Sequence, residues 1–280
     1  MKLVRYGAQG REKPGILDAH DQLRDMSAHC ETFGWDELSP AGIKRLRKIN
    51  PNTLPLVMGK PRLGVPFTGI SKIIGVGLNY REHARETGAA IPAEPVLFMK
   101  ATTAINGPFD NILLPRGSTK TDWEAELGLV IGKTARYVEE AKALSYLAGY
   151  VTVHDVSERD FQKNRGGSWD KGKGCDTFAP IGPWLVTPDE IADPQTLRVW
   201  SSVNGEIRQD SNTADMIFPC AFLISYISQF MTLNPGDVIC TGTPSGVGLG
   251  MTPPQFLKAG DVVRIGVGSL GEQCQMVAAG

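Results

Sequence analysis

Short apolar runs, separated by Gly, Pro and Asp, dominate the pattern of hydrophobic and polar positions along the chain. The runs are rich in Val and Ile and are too short for most helices, which is typical of strands. Short apolar runs occur at residues 2–6 and 15–17, and we predict strands at residues 72–77, 96–100, 124–131, 149–156, 197–203, 237–241 and 262–267. This spacing predicts a protein built mainly from β-structure.

Helical patterns are fewer. The sequence predicts helices at residues 40–49, with Ser39 as the N-cap, and at 138–144, 158–162 and 216–233, and a further one beginning at Tyr80. Strands do not alternate regularly with long helices, so neither a doubly wound sheet nor a βα barrel is supported, and a mixed, β-rich α+β fold is predicted. Polar residues interrupt the apolar stretch 216–233, which favours a buried helix over a membrane span.

A stretch punctuated by Pro and Gly, residues 51–66, separates two parts of the chain. We predict a small N-terminal domain at residues 1–69 and a catalytic domain at residues 70–280.

Composition narrows the functional classes. The 29 Lys and Arg residues nearly balance the 30 Asp and Glu residues among 280, so no global field attracts nucleic acid or a membrane surface. Five scattered cysteines without a CxxC pair indicate a reducing compartment, and the N-terminus has no apolar secretory segment. A cytoplasmic location is the resulting expectation.

Two carboxylates share one face of a predicted strand. Glu124 and Glu126 point the same way because residues i and i+2 do so in a strand. Asp155 has the parity of apolar Val151 and Val153 and is expected to be buried, whereas His154 faces the opposite way and is expected to be structural. Three such carboxylates would suit Mg²⁺ or Mn²⁺, since all the ligands are oxygens. A solvated edge face explains Glu124 and Glu126 equally well.

Other groups are candidates only in combination. His83 and Glu86 are three residues apart, the spacing of a carboxylate that orients a water-activating histidine and also of an ordinary surface pair. Arg159 and Gln162 lie one helical turn apart, and Lys173 lies between two glycines. The Gly-rich segment 240–248 can present N–H groups to an anion, but it lacks the P-loop ending and the dinucleotide-binding setting.

Taken in order, these motifs resemble the fumarylacetoacetate hydrolase family. The resemblance rests on Gly77-Leu78-Asn79-Tyr80 with His83, on the segments 94–100 and 124–126, on Asp155, and on the segment 241–248, and it covers roughly residues 70–270. It implies the family's mixed β-roll, a homodimer or higher homo-oligomer, and a small-molecule 2-oxo acid as substrate.

The resemblance also implies roles for individual residues. Glu124, Glu126 and Asp155 correspond to the metal ligands, and the water-activating pair corresponds to His83 and Glu86, on a segment that closes over ligand in relatives. Lys173 corresponds to the catalytic and substrate-binding lysine, and Arg159, Gln162 and Thr243 take substrate-binding positions.

The implied reaction is hydrolysis of the C–C bond of a 2,4-diketo acid to pyruvate and a second acid. The Gly-rich segment 166–174 looks closest to the branch that cleaves 2,4-diketo-3-deoxy sugar acids, with Arg165 and Ser168 as expected partners of a hydroxylated tail. The same ligands would also serve an acylpyruvate or fumarylpyruvate hydrolase, an oxaloacetate decarboxylase, an isomerase or a ureidoglycolate lyase. A non-enzymatic binding module is the remaining alternative.

Overall fold

Two large sheets, two two-stranded sheets and several short helices form the fold of the computed structural model, which describes all 280 residues. The strands are β1 (Lys2–Tyr6), β2 (Lys13–Leu17), β3 (Leu23–Asp25), β4 (Ile73–Gly77), β5 (Val96–Lys100), β6 (Ile105–Asn106), β7 (Ile112–Leu114), β8 (Thr121–Asp122), β9 (Ala125–Ile131), β10 (Leu147–His154), β11 (Ser157–Glu158), β12 (Ala179–Pro180), β13 (Leu185–Val186), β14 (Arg198–Val203), β15 (Glu206–Asn212), β16 (Val238–Cys240), β17 (Val262–Val267) and β18 (Glu272–Ala279).

The helices are short. They are α1 (Trp35–Leu38), α2 (Pro40–Leu46), α3 (Arg81–Glu86), α4 (Arg159–Asn164), α5 (Asp170–Lys173) and α6 (Cys220–Phe230), with 3-10 turns at Pro51–Thr53, Thr102–Ala104, Glu140–Tyr146, Pro188–Glu190, Thr213–Asp215 and Gly248–Gly250. The Ser39 hydroxyl accepts a hydrogen bond from Gly42 N at 3.0 Å and caps α2, as predicted. The predicted helix at 138–144 is instead a 3-10 turn, and none of the helices has the length and apolar character that crossing a bilayer requires.

Nine strands form the larger sheet, in the order β3-β2-β1-β13-β10-β9-β16-β4-β5, and five form the smaller one, β15-β14-β17-β18-β7. Most neighbouring strands are antiparallel, but β16 pairs with β4 and β18 with β7 in parallel. Strands β11 and β8 form a separate two-stranded sheet, and β12 and β6 form another. The mixed, β-rich α+β class predicted from the sequence is confirmed.

Strand β9 separates two apolar clusters. Its residues Ala125, Leu127 and Leu129 belong to a cluster of 30 buried residues that also includes side chains of the smaller sheet and of α6. The opposite face of β9 carries Val130 and meets a second cluster of 23 buried residues. Glu126 has the parity of Val130, so its carboxylate lies on this second face, at the end of the strand.

Residues 1–69 share the larger sheet with the rest of the chain. Strand β1 pairs with β13 at Leu3 and Leu185, and β13 in turn pairs with β10. The sheet is therefore continuous across residue 69, and the division into two domains at that position stays a prediction.

Candidate metal centre

The register of β9 and β10 brings three carboxylates together. Val153 lies opposite Glu126. Two residues further along the chain, Asp155 N donates to the Glu124 carbonyl at 3.0 Å. Directly opposed residues of an antiparallel pair point to the same face, so Glu124, Glu126 and Asp155 converge there. Carboxylate oxygens of the three lie within 4.8 Å of one another, and all three side chains are buried. The solvated edge that the spacing also allowed is excluded.

Two lysines donate hydrogen bonds to these carboxylates. Lys173 Nζ donates to Glu124 Oε2 and to Asp155 Oδ2, both at 2.7 Å. Lys100 Nζ donates to Asp155 Oδ1 at 2.6 Å and also to the carbonyls of Val156 and Lys173. Lys173 belongs to α5 and is 2% exposed, so it is not the solvated loop lysine that its glycine neighbours allowed.

Sequence reasoning missed Lys100, although a signal was present. Lys100 ends β5 and has the parity of buried Phe98, so strand alternation directs both side chains inward. A lysine with inward parity at a strand end needs a buried counter-ion, and Asp155 provides it.

Arg159 connects the carboxylates to the Gly-rich segment through Asp122. Its Nη1 lies 2.7 Å from Glu124 Oε1, and its Nε donates to Asp122 Oδ2 at 2.8 Å. Asp122 also accepts the backbone N–H groups of Gly248 and Leu249, at 2.7 Å and 3.0 Å. Asp122 was another omission of the sequence reasoning, and it fixes the position of Arg159 relative to this loop.

Glu126 is the carboxylate without a cation. It is 2% exposed, no lysine or arginine pairs with it, and Gly242 N is its hydrogen-bond donor, at 2.8 Å. Burial, together with Asp155 and Glu124, raises the pKa of Glu126 well above its usual range. Burial acts in the same direction on Glu124, but Lys173 and Arg159 outweigh it and lower the pKa of that carboxyl.

These features fit a divalent metal. The buried cluster contains four carboxylates, of Asp122, Glu124, Glu126 and Asp155, and three cations, of Lys100, Lys173 and Arg159. With every group ionised it carries one net negative charge, which is costly in a buried site. A divalent ion held by Glu124, Glu126 and Asp155 would reverse this to one positive charge, which a single carboxylate of a ligand neutralises. The oxygen-only donors suit Mg²⁺ or Mn²⁺.

Gly242 has a backbone role beside this site. Its φ of +98° is unfavourable for other residues, and a Cβ there would lie 2.8 Å from the Asn79 Cβ. Only glycine therefore presents this N–H to Glu126 without strain. Next to it, Thr243 Oγ1 donates to Ala125 O at 3.0 Å and accepts from Gln209 at 2.7 Å, which fixes the loop against β9.

His83 and Glu86 form the expected pair on α3. His83 Nδ1 lies 3.1 Å from Glu86 Oε2, and Glu86 Oε1 accepts Gly246 N at 2.8 Å. An imidazole that donates through Nδ1 carries its lone pair on Nε2. His83 lines the same cavity as Glu124 and Glu126, so the pair faces the carboxylates from a separate element.

The cavity above the carboxylates measures about 130 Å³. Its lining includes residues predicted from the sequence, namely His83, Glu124, Glu126, Arg159, Gln162, Lys173 and Thr243. Phe98 and Trp169 form an apolar wall with ring centroids 5.6 Å apart, and Lys163 lies at the edge; none of these three was predicted.

Arg165 and Ser168 do not line the cavity. Arg165 pairs with Asp160 at 2.9 Å and lies over the Phe161 ring, and Ser168 is exposed. The cavity lining therefore gives no support to the expectation that these two residues bind a hydroxylated tail, and their role stays a prediction. His154 also lies away from the cavity: its Nδ1 is 3.1 Å from Gln275 Oε1, and burial lowers its pKa to about 4.

Comparison with known proteins agrees with this geometry. Residues 72–278 match the family described as fumarylacetoacetate (FAA) hydrolase, C-terminal. A protein of Burkholderia ambifaria that bears the name "Putative hydrolase" is 59% identical over 276 residues, covering 98% of each chain. The name of this relative does not identify a substrate.

Solved structures share the whole fold. A fumarylacetoacetate hydrolase from Exiguobacterium antarcticum superposes with a TM-score of 0.87 at 33% identity and covers 100% of both chains. A 5-carboxymethyl-2-hydroxymuconate delta-isomerase from Mycobacterium smegmatis superposes with a TM-score of 0.77 at 32% identity, covering 100% of this chain and 99% of its own. Hydrolases and isomerases therefore both occur on this fold.

Proposed function

Because this chain belongs to the fumarylacetoacetate hydrolase family, we propose that it is a metal-dependent hydrolase that cleaves the C3–C4 bond of a 2,4-diketo acid. The observation that carries the proposal is the position of the His83–Glu86 pair, which faces the buried carboxylates across one small cavity. A base on one side and a cation-binding cluster on the other are what hydrolysis of a β-diketone requires.

Glu124, Glu126 and Asp155 would hold the metal. When bound, a divalent ion supplies Lewis-acid polarisation of the substrate's C2 carbonyl. Arg159 and Gln162, on the adjacent face of α4, bind the C1 carboxylate, and the apolar wall of Phe98 and Trp169 excludes water from the other side.

His83 Nε2 takes a proton from water, and Glu86 orients the ring and stabilises the resulting imidazolium. The hydroxide oxygen attacks C4, the C3–C4 bond breaks, and its electron pair passes to C3 to form the enolate of pyruvate. The ammonium of Lys173 lies beside the carboxylates and stabilises the negative charge on the enolate oxygen. A proton then returns to C3, giving pyruvate and the acid derived from C4.

The test is product analysis with a panel: acetylpyruvate, a 2,4-diketo-3-deoxy sugar acid, a diketo dioic acid, oxaloacetate and ureidoglycolate, with Mg²⁺ or Mn²⁺. Pyruvate and the C4-derived acid in equal amounts support the proposal. Turnover of oxaloacetate or ureidoglycolate alone would overturn it. The 2,4-diketo-3-deoxy sugar acid expected from the sequence competes in this panel with the diketo dioic acid, and Arg165 and Ser168 do not line the cavity that would hold its tail.

Isomerisation is the second candidate. The M. smegmatis relative is named as an isomerase, and a histidine paired with a carboxylate moves protons between carbons as readily as it activates water. A 2-hydroxy-2,4-dienoate in the panel distinguishes the two reactions, since isomerisation changes its absorbance without releasing pyruvate.

A further inference from the structure

One face of α4 leads from the buried carboxylates to the mouth of the cavity. Arg159, Gln162 and Lys163 occupy positions i, i+3 and i+4, which share a helix face, and all three line the cavity. Arg159 and Gln162 are buried, whereas Lys163 is exposed. Four residues of helix correspond to about 6 Å along the axis, so Lys163 lies about one turn outward from the Arg159–Glu124 contact.

Lys163 differs from the other cations of the site because it has no counter-ion. Arg159, Lys173 and Lys100 each pair with buried carboxylates. No carboxylate lies within ion-pair distance of Lys163, and Asp160, three residues earlier on α4, pairs with Arg165 instead. Although the residue as a whole is exposed, partial desolvation of its ammonium beside the cavity and the neighbouring Arg159 lower the pKa of Lys163, against the smaller opposing effect of Glu124 and Asp122.

Lys163 lines the cavity with no carboxylate side chain of the protein paired to its ammonium. A neutral hydroxylated tail would leave this ammonium without a counter-ion, whereas a second anionic group would pair with it.

We propose that Lys163 binds a carboxylate at the far end of the substrate, so that the preferred substrate is a dianionic 2,4-diketo acid. The inference rests on the proposed function for the position of the C1 carboxylate. In this proposal Lys163 determines specificity by contacting the part of the substrate beyond C4. That part is released as the second acid. An extended chain of five or six carbons spans the helical turn that separates Arg159 from Lys163.

The first experiment measures binding without turnover. Calorimetric titration of the Mg²⁺-loaded protein compares 2-oxoheptanedioate with 2-oxoheptanoate, which have equal length and differ in the terminal carboxylate. We expect the dioate to bind about tenfold more tightly or better, the size of one charge-assisted hydrogen bond, and Lys163→Gln to abolish that difference. Equal affinity of the two ligands for the unaltered protein would overturn the inference.

The matched control is Lys171→Gln. Lys171 carries the same charge on neighbouring α5, but its Nζ donates to Arg165 O on the exposed loop and it does not line the cavity. It should keep the preference for the dioate. If both variants lost the preference for the dioate, the summed positive potential of the lysines would explain it without a contact to Lys163. That result would overturn the assignment. Because Lys163 is exposed, the melting temperature of Lys163→Gln is expected to match that of the unaltered protein.

The second experiment uses turnover of succinylpyruvate and of its C7 carboxamide. We expect Lys163→Gln to lower kcat/KM about tenfold for the dianion and to leave the amide unchanged, and Lys163→Glu to reverse the preference. If both compounds are cleaved equally well, the proposed function holds and the role of Lys163 fails. If neither is cleaved but the binding preference depends on Lys163, the hydrolase proposal fails and the role of Lys163 holds.

Discussion

Asp155 lies directly across the β9–β10 pair from Glu124, and its backbone N–H donates to the Glu124 carbonyl at 3.0 Å. The same hydrogen-bond ladder that joins the two strands therefore sets the spacing of their carboxylates. A shift of one residue in this register would turn Asp155 or Glu124 to the opposite face. The register of β9 and β10 thus places these two carboxylates on the face that also carries Glu126.

Removing one carboxylate should abolish tight metal binding. We expect Glu126→Ala to weaken Mg²⁺ or Mn²⁺ by at least about 100-fold, since even residues that only orient metal ligands contribute 10–100-fold. Calorimetric titration checks this, with Glu139→Ala as the control because Glu139 is an exposed carboxylate paired with Lys142. Chelation should remove activity and added Mg²⁺ or Mn²⁺ should restore it. Full activity of metal-stripped Glu126→Ala would contradict the assignment.

Replacing the histidine should separate catalysis from metal binding. We expect His83→Ala to lower turnover by ~10²–10⁴-fold, as for the loss of a general base, with metal affinity unchanged. His20→Ala is the matched control, because His20 is exposed in the N-terminal part of the chain. If calorimetry showed that His83→Ala also loses the metal, His83 would be a ligand instead.

Replacing Lys173 should affect both ligand binding and metal binding. Lys173→Met removes the ammonium that contacts Glu124 and Asp155, so oxalate, a dicarboxylate that mimics the carboxylate and carbonyl oxygens of a 2-oxo acid, should inhibit more weakly. The loss also leaves the carboxylates more negative. Mg²⁺ should therefore raise the melting temperature of Lys173→Met by more than that of the unaltered protein. Unchanged inhibition by oxalate together with an unchanged Mg²⁺ effect would refute this role.

Metal binding should release a proton. The raised pKa of Glu126 means that this carboxyl retains its proton at pH values where an ordinary glutamate is ionised. Coordination requires the carboxylate, so the metal affinity should rise as the pH rises through this pKa and fall as the pH is lowered. Titrations in two buffers of different ionisation enthalpy count the protons released. Identical heats in both buffers would show that Glu126 is already ionised.

Strand alternation placed the carboxylates on one face, the family resemblance assigned them as metal ligands, and neither spacing nor alternation identified their partners. Glu124, Glu126 and Asp155 follow from parity along two strands, and His83 and Glu86 from helical spacing. Their pairing with Lys173 depends on α5 packing beside β5, a contact between elements distant in sequence that no local pattern encodes. The family resemblance, rather than spacing, pointed to Lys173.

Strands with polar inward residues escaped prediction. In β18 the buried positions include Gln273 and Gln275, and in β15 the buried position is Gln209. Gln273 donates to three backbone carbonyls and Gln209 accepts Ala125 N at 3.0 Å. Because these side chains satisfy backbone groups inside the fold, their strands lack the apolar alternation on which the prediction relied.

Because the larger sheet is continuous, residues 1–69 cover an edge of the sheet that the rest of the chain would otherwise expose. Strand β13 has only two residues, and β1 covers the side of it that faces away from β10. A fragment that begins at residue 70 would expose the unpaired backbone of β13, one strand away from the strand that leads to Asp155. Uncovered edges of this kind recruit strands from other molecules. Any chimera that carries only residues 70–280 would therefore need a substitute for β1, or it would self-associate beside the candidate metal centre.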